Sequence, residues 1–139
     1  MMPSSYDVII IGSGPAGIFA ALELVKNTSL KILMLEKGGD IDQRACPMIE
    51  SEVPCVQCGL CSILCGWGGA GAYSDGKLTL TPEFGGWLKD YLSSADLYTF
   101  IEYVDSIYQS FGAGGEVHGE DNAALSRLKK KAPRYPGTR

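Results

Sequence analysis

Two kinds of residue in this 139-residue chain could do chemistry: glycines that leave the backbone bare, and cysteines that can hold a metal or carry electrons. Gly12-Ser13-Gly14-Pro15-Ala16-Gly17 has the spacing G-x-G-x-x-G. In this spacing the first glycine permits a tight turn, the second lets a pyrophosphate approach the backbone, and the third lets a helix lie close to a strand. Free N–H groups and the positive end of a helix dipole would stabilise that pyrophosphate without a lysine or arginine. Glu36 follows Gly17 by 19 residues, close to the separation at which a carboxylate reaches a ribose hydroxyl. Cys55, Cys58, Cys61 and Cys65 read C-x2-C-x2-C-x3-C, the run of a bacterial ferredoxin, with Gly66 where proline usually stands. In such a run the fourth cysteine can serve a different centre, so one site needs a remote ligand, which Cys46 beside Pro47 could supply. The candidate ligands are therefore Cys46, Cys55, Cys58 and Cys61, with Cys65 in reserve. An iron–sulfur cluster, a zinc ion and plain reduced thiols all remain open on spacing alone.

The elements needed to position these residues are legible around them. Residues 7–11 are a nearly unbroken apolar run, expected as a strand buried on both faces. Pro15 suits the first turn of the helix that follows, whose Ile18, Ala21, Leu22 and Val25 form a stripe fading at Asn27-Thr28-Ser29. A second strand over residues 31–35 ends at Glu36. A glycine-rich turn can be no more than a tight connection, but here strand, turn, helix, strand and terminal acid occur in order, which favours dinucleotide binding. Beyond a turn at Lys37-Gly38-Gly39-Asp40, residues 41–72 hold all five cysteines with little periodicity. A long irregular stretch of this kind needs a function or a ligand to hold it.

A second glycine-rich block, Gly66-Trp67-Gly68-Gly69-Ala70-Gly71-Ala72-Tyr73-Ser74-Asp75-Gly76-Lys77, precedes a strand-like run at residues 78–81. Helices close the chain. In the clearest, Asp96 is a candidate cap, Leu97, Phe100, Ile101, Val104, Ile107, Tyr108 and Phe111 form the stripe, and Gly112 is the stop. A last helix is expected over residues 122–131, capped by Asp121 and ended before Pro133. His118, in a Gly/Glu-rich loop, reads as a surface residue, and Trp67 and Trp87 as packing aromatics.

Composition narrows the function classes. A net charge of −4 argues against a nucleic-acid surface, and the basic cluster at Lys129-Lys130-Lys131 reads as a solvated helix end. No run is long enough to span a membrane and the first residues lack a signal-peptide pattern, so the expected location is cytoplasmic.

GSGPAG, together with the later GWGGAGAYSDGKL and the EFGGWL behind it, resembles the N-terminal part of a family of uncharacterised FAD-dependent dehydrogenases. The resemblance covers most of residues 6–131 and implies a glutathione-reductase-like, α/β Rossmann-like FAD-binding fold. It assigns Gly12, Gly14, Pro15, Ala16, Gly17, Glu36 and Lys37 to the adenosine diphosphate half of FAD. Gly68, Gly69, Ala70 and Gly71 become backbone neighbours of the cofactor, and Ser74, Asp75 and Lys77 candidates near the flavin ring. The residue chemistry agrees: bare glycine backbone admits a planar ligand, Lys77 could stabilise charge on a reduced flavin, and Ser74 could donate a hydrogen bond. A solvated Lys77 in a plain glycine loop is the alternative. The resemblance adds a further reading of the cysteines, a redox disulfide beside the flavin as in pyridine-nucleotide disulfide reductases. There the pair follows the flavin loop, whereas here every cysteine precedes it.

Members of that family are considerably longer, so the chain is expected to be the N-terminal portion of an FAD/NAD(P)-binding domain lacking its C-terminal part. Its segments would be the dinucleotide motif at 6–36, a Cys/Gly-rich cofactor segment at 41–77 and a helical segment at 83–131. The function implied is an FAD-dependent oxidoreductase passing hydride or electrons to a small-molecule substrate or acceptor. The rival is a non-catalytic metal-binding or electron-carrier module centred on the cysteines.

Overall fold

Val8, Ile9, Ile10 and Ile11 form strand β1 (Val8–Ile11), as suits β-branched side chains on a pleated surface. A computed structural model of the chain describes residues 5–83, 86–119, 123, 126 and 127, and its contacts divide into two units, Met1–Lys77 and Leu78–Arg139.

In the first unit, β1 leads through a turn into helix α1 (Pro15–Asn27), and strand β2 (Ile32–Leu35) follows. The strands pair parallel in the register Val8↔Ile32, Ile9↔Leu33, Ile10↔Met34 and Ile11↔Leu35. A parallel pair needs a crossover, and α1 is that crossover. The ends of the ladder are pinned by local chemistry. Lys31 N–H donates to the Asp7 carboxylate at 2.8 Å, and Gly12 N–H donates to the Leu35 carbonyl at 2.7 Å. Helix α1 ends where Asn27 and Thr28 turn their side chains back, onto the carbonyls of Glu23 at 2.8 Å and Leu24 at 2.7 Å.

Burial departs from expectation. β1 is not buried on both faces: Val8 and Ile10 are half-buried, while Ile9 and Ile11 are 58% and 86% exposed. A strand alternates its side chains, and α1 covers one face only. The same single layer leaves Val25 of the predicted stripe exposed, while Ile18, Ala21 and Leu22 are half-buried.

The stretch after β2 is irregular, as its sequence suggests. Asp40 caps a short 3-10 turn at Ile41–Gln43, helix α2 (Pro47–Glu50) is a single turn, and residues 52–58 have no regular structure. A second 3-10 turn, Gly69–Tyr73, is entered through Gly68 at φ 83°, a left-handed conformation that favours glycine.

In the second unit residues 78–81 are not a strand, because no segment among the described residues pairs with them. Helix α3 (Ser94–Ser110) is the main element. Its cap is Ser93, not Asp96: the Ser93 hydroxyl accepts from Asp96 N–H at 3.2 Å and donates to the Asp96 carboxylate at 2.6 Å. Asp96 thus stands in the third helical position of a capping-box spacing. Ser93→Ala is expected to destabilise α3 by about 1 kcal/mol, read as a lower thermal midpoint, and an unchanged midpoint would contradict the cap. Gly112, at φ 99°, lies just past the C-terminal end as expected. Of the predicted stripe, Leu97 is 5% exposed, and Leu97, Phe100, Ile101 and Val104 line a cavity of about 280 Å³ with Leu78 and Leu88. Phe100, Tyr108 and Phe111 of the same stripe are exposed, so burial follows only part of it.

The expected helix over residues 122–131 falls largely outside the described residues, within which only Ala123, Ser126 and Arg127 belong to it, all three helical. Its Asp121 cap, Lys129-Lys130-Lys131, the tail after them, and Phe84 and Gly85 also lie outside. No helix among the described residues is long and apolar enough to cross a membrane.

Candidate functional site

Two of the three glycines of the first turn are required by the fold itself. Gly12 adopts φ 99°, which side chains disfavour. A Cβ on Gly17 would lie 2.1 Å from the Gly12 carbonyl oxygen and 3.3 Å from Ile10 Cγ2, so only glycine lets α1 sit on β1. Gly14 differs from both: a Cβ there would meet nothing nearer than Gly69 Cα at 4.0 Å. The position is bare without the fold requiring it. Pro15 opens α1, and helix geometry leaves the amides of Ala16 and Gly17 without an intrahelical carbonyl, ready to donate to an anion.

The second glycine block returns to this turn. Gly68 N–H donates to the Ser13 carbonyl at 2.9 Å, a Cβ on Gly69 would lie 3.0 Å from Gly14 Cα, and one on Gly71 would lie 3.3 Å from Pro15 Cγ. Backbone meets backbone at Gly14 and Gly69, since neither residue carries a side chain. Gly69 is buried, while Ala70 and Gly71 are exposed.

Glu36 joins the two blocks. One carboxylate oxygen accepts from Ser13 N–H at 2.8 Å and the Ser13 hydroxyl at 3.1 Å, the other from the amides of Gly38 and Gly66, both at 2.9 Å. Ser13 is fully buried. The sequence places Glu36 for a ribose contact, and in the structure its oxygens already serve the protein. A ribose hydroxyl would share an oxygen with these donors. The Ser13 amide first, then those of Gly38 and Gly66 and the Ser13 hydroxyl, lower the Glu36 pKa from 4.5 to about 2. A depressed carboxylate stabilises the fold above its unfolded pKa, and that contribution disappears as pH falls through the folded value. Glu36→Gln is therefore expected to lower the urea midpoint near neutral pH, with the gap from wild type narrowing below pH 4.5 and closing near about 2. A gap independent of pH would contradict the latch.

Other predicted site residues are not gathered here. Lys37 is exposed. Ser74 accepts from Gly76 N–H, and Asp75 pairs with Lys77 at 2.7 Å in an exposed turn, which lowers the aspartate pKa and raises that of the lysine. This is the solvated arrangement of Lys77. All five cysteines are free thiols, with Cys55 and Cys58 exposed, and no three His, Cys, Asp or Glu side chains among the described residues are arranged to hold a metal. Cys46 stands at the start of α2, and Cys61 and Cys65 flank one turn in which Cys65 N–H donates to the Cys61 carbonyl. Irregular backbone between them does not bring the thiols to one point. His118 is exposed, as expected of a surface residue, whereas Trp67 and Trp87, expected to pack, are 46% and 80% exposed.

Arg44 is the residue that sequence reasoning missed. It is only 8% exposed, and its guanidinium donates to the carbonyls of Ser62 at 2.8 Å, Ile63 at 2.8 Å and Trp67 at 2.7 Å. The available signal was indirect: a long irregular stretch must be held by something, and a planar five-donor side chain can hold several carbonyls at once.

Residues 6–109 match the model of the family described as pyridine nucleotide-disulphide oxidoreductase. An uncharacterized protein of Clostridium beijerinckii is 44% identical over 72 residues, covering 51% of this chain and 13% of that protein. The mitochondrial electron transfer flavoprotein-ubiquinone oxidoreductase of Oryza sativa subsp. japonica is 43% identical over 42 residues, 27% of this chain and 7% of its own length. A Marinomonas mediterranea protein carrying the name FAD-dependent oxidoreductase LodB is 50% identical over 34 residues, 24% of this chain and 9% of its own length. The matches thus span a small part of each relative. No solved structure matches the chain.

Proposed function

The chain belongs to the pyridine nucleotide-disulphide oxidoreductase family, and on that premise we propose that it is the FAD-binding portion of an FAD-dependent oxidoreductase of the dehydrogenase type. The observation that carries this reading is the bare backbone at Gly14, beside the open N-terminus of α1 and facing Gly69. A pyrophosphate fits that cradle: the amides of Ala16 and Gly17 would donate to it, and the space a Cβ would fill is left for its oxygens. The names of two relatives, a flavoprotein oxidoreductase and an FAD-dependent oxidoreductase, agree with flavin as the dinucleotide.

Bound FAD would supply hydride or electron-pair chemistry at its ring. The chain's own residues do the rest of what can be assigned. Gly12 and Gly17 set the turn, α1 directs its positive end to the diphosphate, and Glu36 fixes the second glycine block beside it. Membership in the narrower group of uncharacterised FAD-dependent dehydrogenases rests on the GGAG-x-x-SDGK block. A small-molecule substrate or electron acceptor and a cytoplasmic location complete the proposal.

Turnover is assigned to the whole protein and not to these residues alone, since β1 and β2 form the one sheet among those described and one face of β1 is open. Titration of the purified chain with FAD tests the reading. Saturable binding with a shifted flavin absorption band is expected, together with acceptor reduction no faster than free FAD. Absence of saturable binding would overturn the assignment to flavin.

A further inference from the structure

We infer that Arg44 is a positioning residue: its guanidinium sets the backbone of residues 62–67 so that Gly68 and Gly69 meet the first glycine turn. The inference deepens the proposed FAD site and rests on that reading for its link to the cofactor. A buried cation is costly unless its donors are satisfied, and no ion pair to Arg44 is formed among the described residues. Three carbonyls take the place of a carboxylate. They belong to Ser62, Ile63 and Trp67, so the chain between them must curl round one planar group.

Several contacts carry this constraint to the site. Gly66 lies against the side chain: a Cβ there would be 2.7 Å from Arg44 Cδ and 2.9 Å from Nε, at φ 118°. The amide of the same Gly66 donates to Glu36. Trp67, whose carbonyl Arg44 holds, donates its own N–H to Gly39 at 3.1 Å, and the next amide, of Gly68, reaches Ser13. Tyr73, at the other end of the second glycine block, places its ring 4.9 Å from the guanidinium and donates its hydroxyl to the Arg44 carbonyl at 2.7 Å. Arg44 therefore grips the block at both ends, ahead of Gly68 through Trp67 and behind Gly71 through Tyr73. A lysine in its place keeps the charge but cannot fork to three carbonyls or stack on the tyrosine in the same way.

Amide hydrogen exchange of the 139-residue chain, with FAD titration of the same samples, tests the clamp in wild type, Arg44→Lys and Tyr73→Phe. Arg44→Lys is expected to exchange faster across residues 62–73, with β1 and β2 unchanged, and to bind FAD about tenfold more weakly, because binding must then order a loosened second glycine block. Tyr73→Phe keeps the ring and loses one hydrogen bond, so a smaller shift in the same segment is expected. Wild-type exchange over 62–73 in Arg44→Lys would overturn the clamp, as would faster exchange spread evenly through β1 and β2, the mark of general destabilisation. A loosened segment with undiminished FAD affinity would overturn the positioning role. If wild type itself fails to bind FAD, the functional reading falls, and the exchange pattern alone decides whether Arg44 sets the segment.

Discussion

Gly14→Val is expected to abolish FAD binding while the chain stays folded. Gly14 has φ −72° and ψ 177°, extended backbone that any residue adopts, and a Cβ there meets only Gly69 Cα at 4.0 Å. The fold tolerates the added carbon, so the cost falls on whatever ligand occupies that space. A pyrophosphate pushed away from the α1 amides loses charge-assisted hydrogen bonds, and an affinity loss of about a hundredfold or more follows. Flavin titration alongside far-ultraviolet circular dichroism reads both halves of the expectation. Unchanged flavin affinity in a folded variant would remove Gly14 from the site, and Gly14→Ala should show the same direction with a smaller loss.

Gly17→Ala should do the reverse, unfolding the first unit before ligand enters the question. Its Cβ would lie 2.1 Å from the Gly12 carbonyl oxygen, closer than any relaxed contact, and the obstacle is backbone that cannot rotate aside. Helix α1 would have to lift from β1, uncovering the half-buried Ile10, and the Gly12 N–H bond to Leu35 would be strained. Overpacking of this kind costs about 3 kcal/mol or more when backbone is the obstacle. Urea unfolding followed by circular dichroism would show a lower midpoint. A midpoint equal to that of wild type would mean that α1 does not pack on β1 as described. The two glycines share a motif and fail differently, one at the ligand and one at the fold.

Local signals and tertiary partners separate what the sequence could reveal from what it could not. β1, α1 and β2 lie within a residue or two of their expected bounds, because Gly12, Pro15 and the Asn27-Thr28 pair punctuate the chain within a few residues of the elements they limit. Glu36 was found by its distance from Gly17. Its partners were not, since Ser13 and Gly66 lie 23 and 30 residues away and only the folded backbone brings their amides to one carboxylate. Residues 78–81 have strand-like composition, but a strand also needs an edge to pair with, which composition does not reveal. The helix cap moved from Asp96 to Ser93 because both residues are good caps and the spacing between them suits a capping box. Cysteine spacing suggested a metal centre, yet spacing fixes only contour length, and the irregular backbone around Cys55 and Cys58 leaves them in solvent. Arg44 gave no periodic or motif signal, and its role exists only once three carbonyls converge on it.

The central claim is that Gly14, the N-terminus of α1 and Gly69 form a cradle for the diphosphate of FAD. Competition calorimetry with FAD, ADP and FMN on the wild-type chain tests it most directly, because ADP carries the diphosphate and adenosine without the flavin, and FMN carries the flavin with a single phosphate. The account predicts that ADP binds, that it displaces FAD from one site, and that FMN binds far more weakly than either. FMN binding as tightly as FAD, with ADP unable to displace it, would contradict the account.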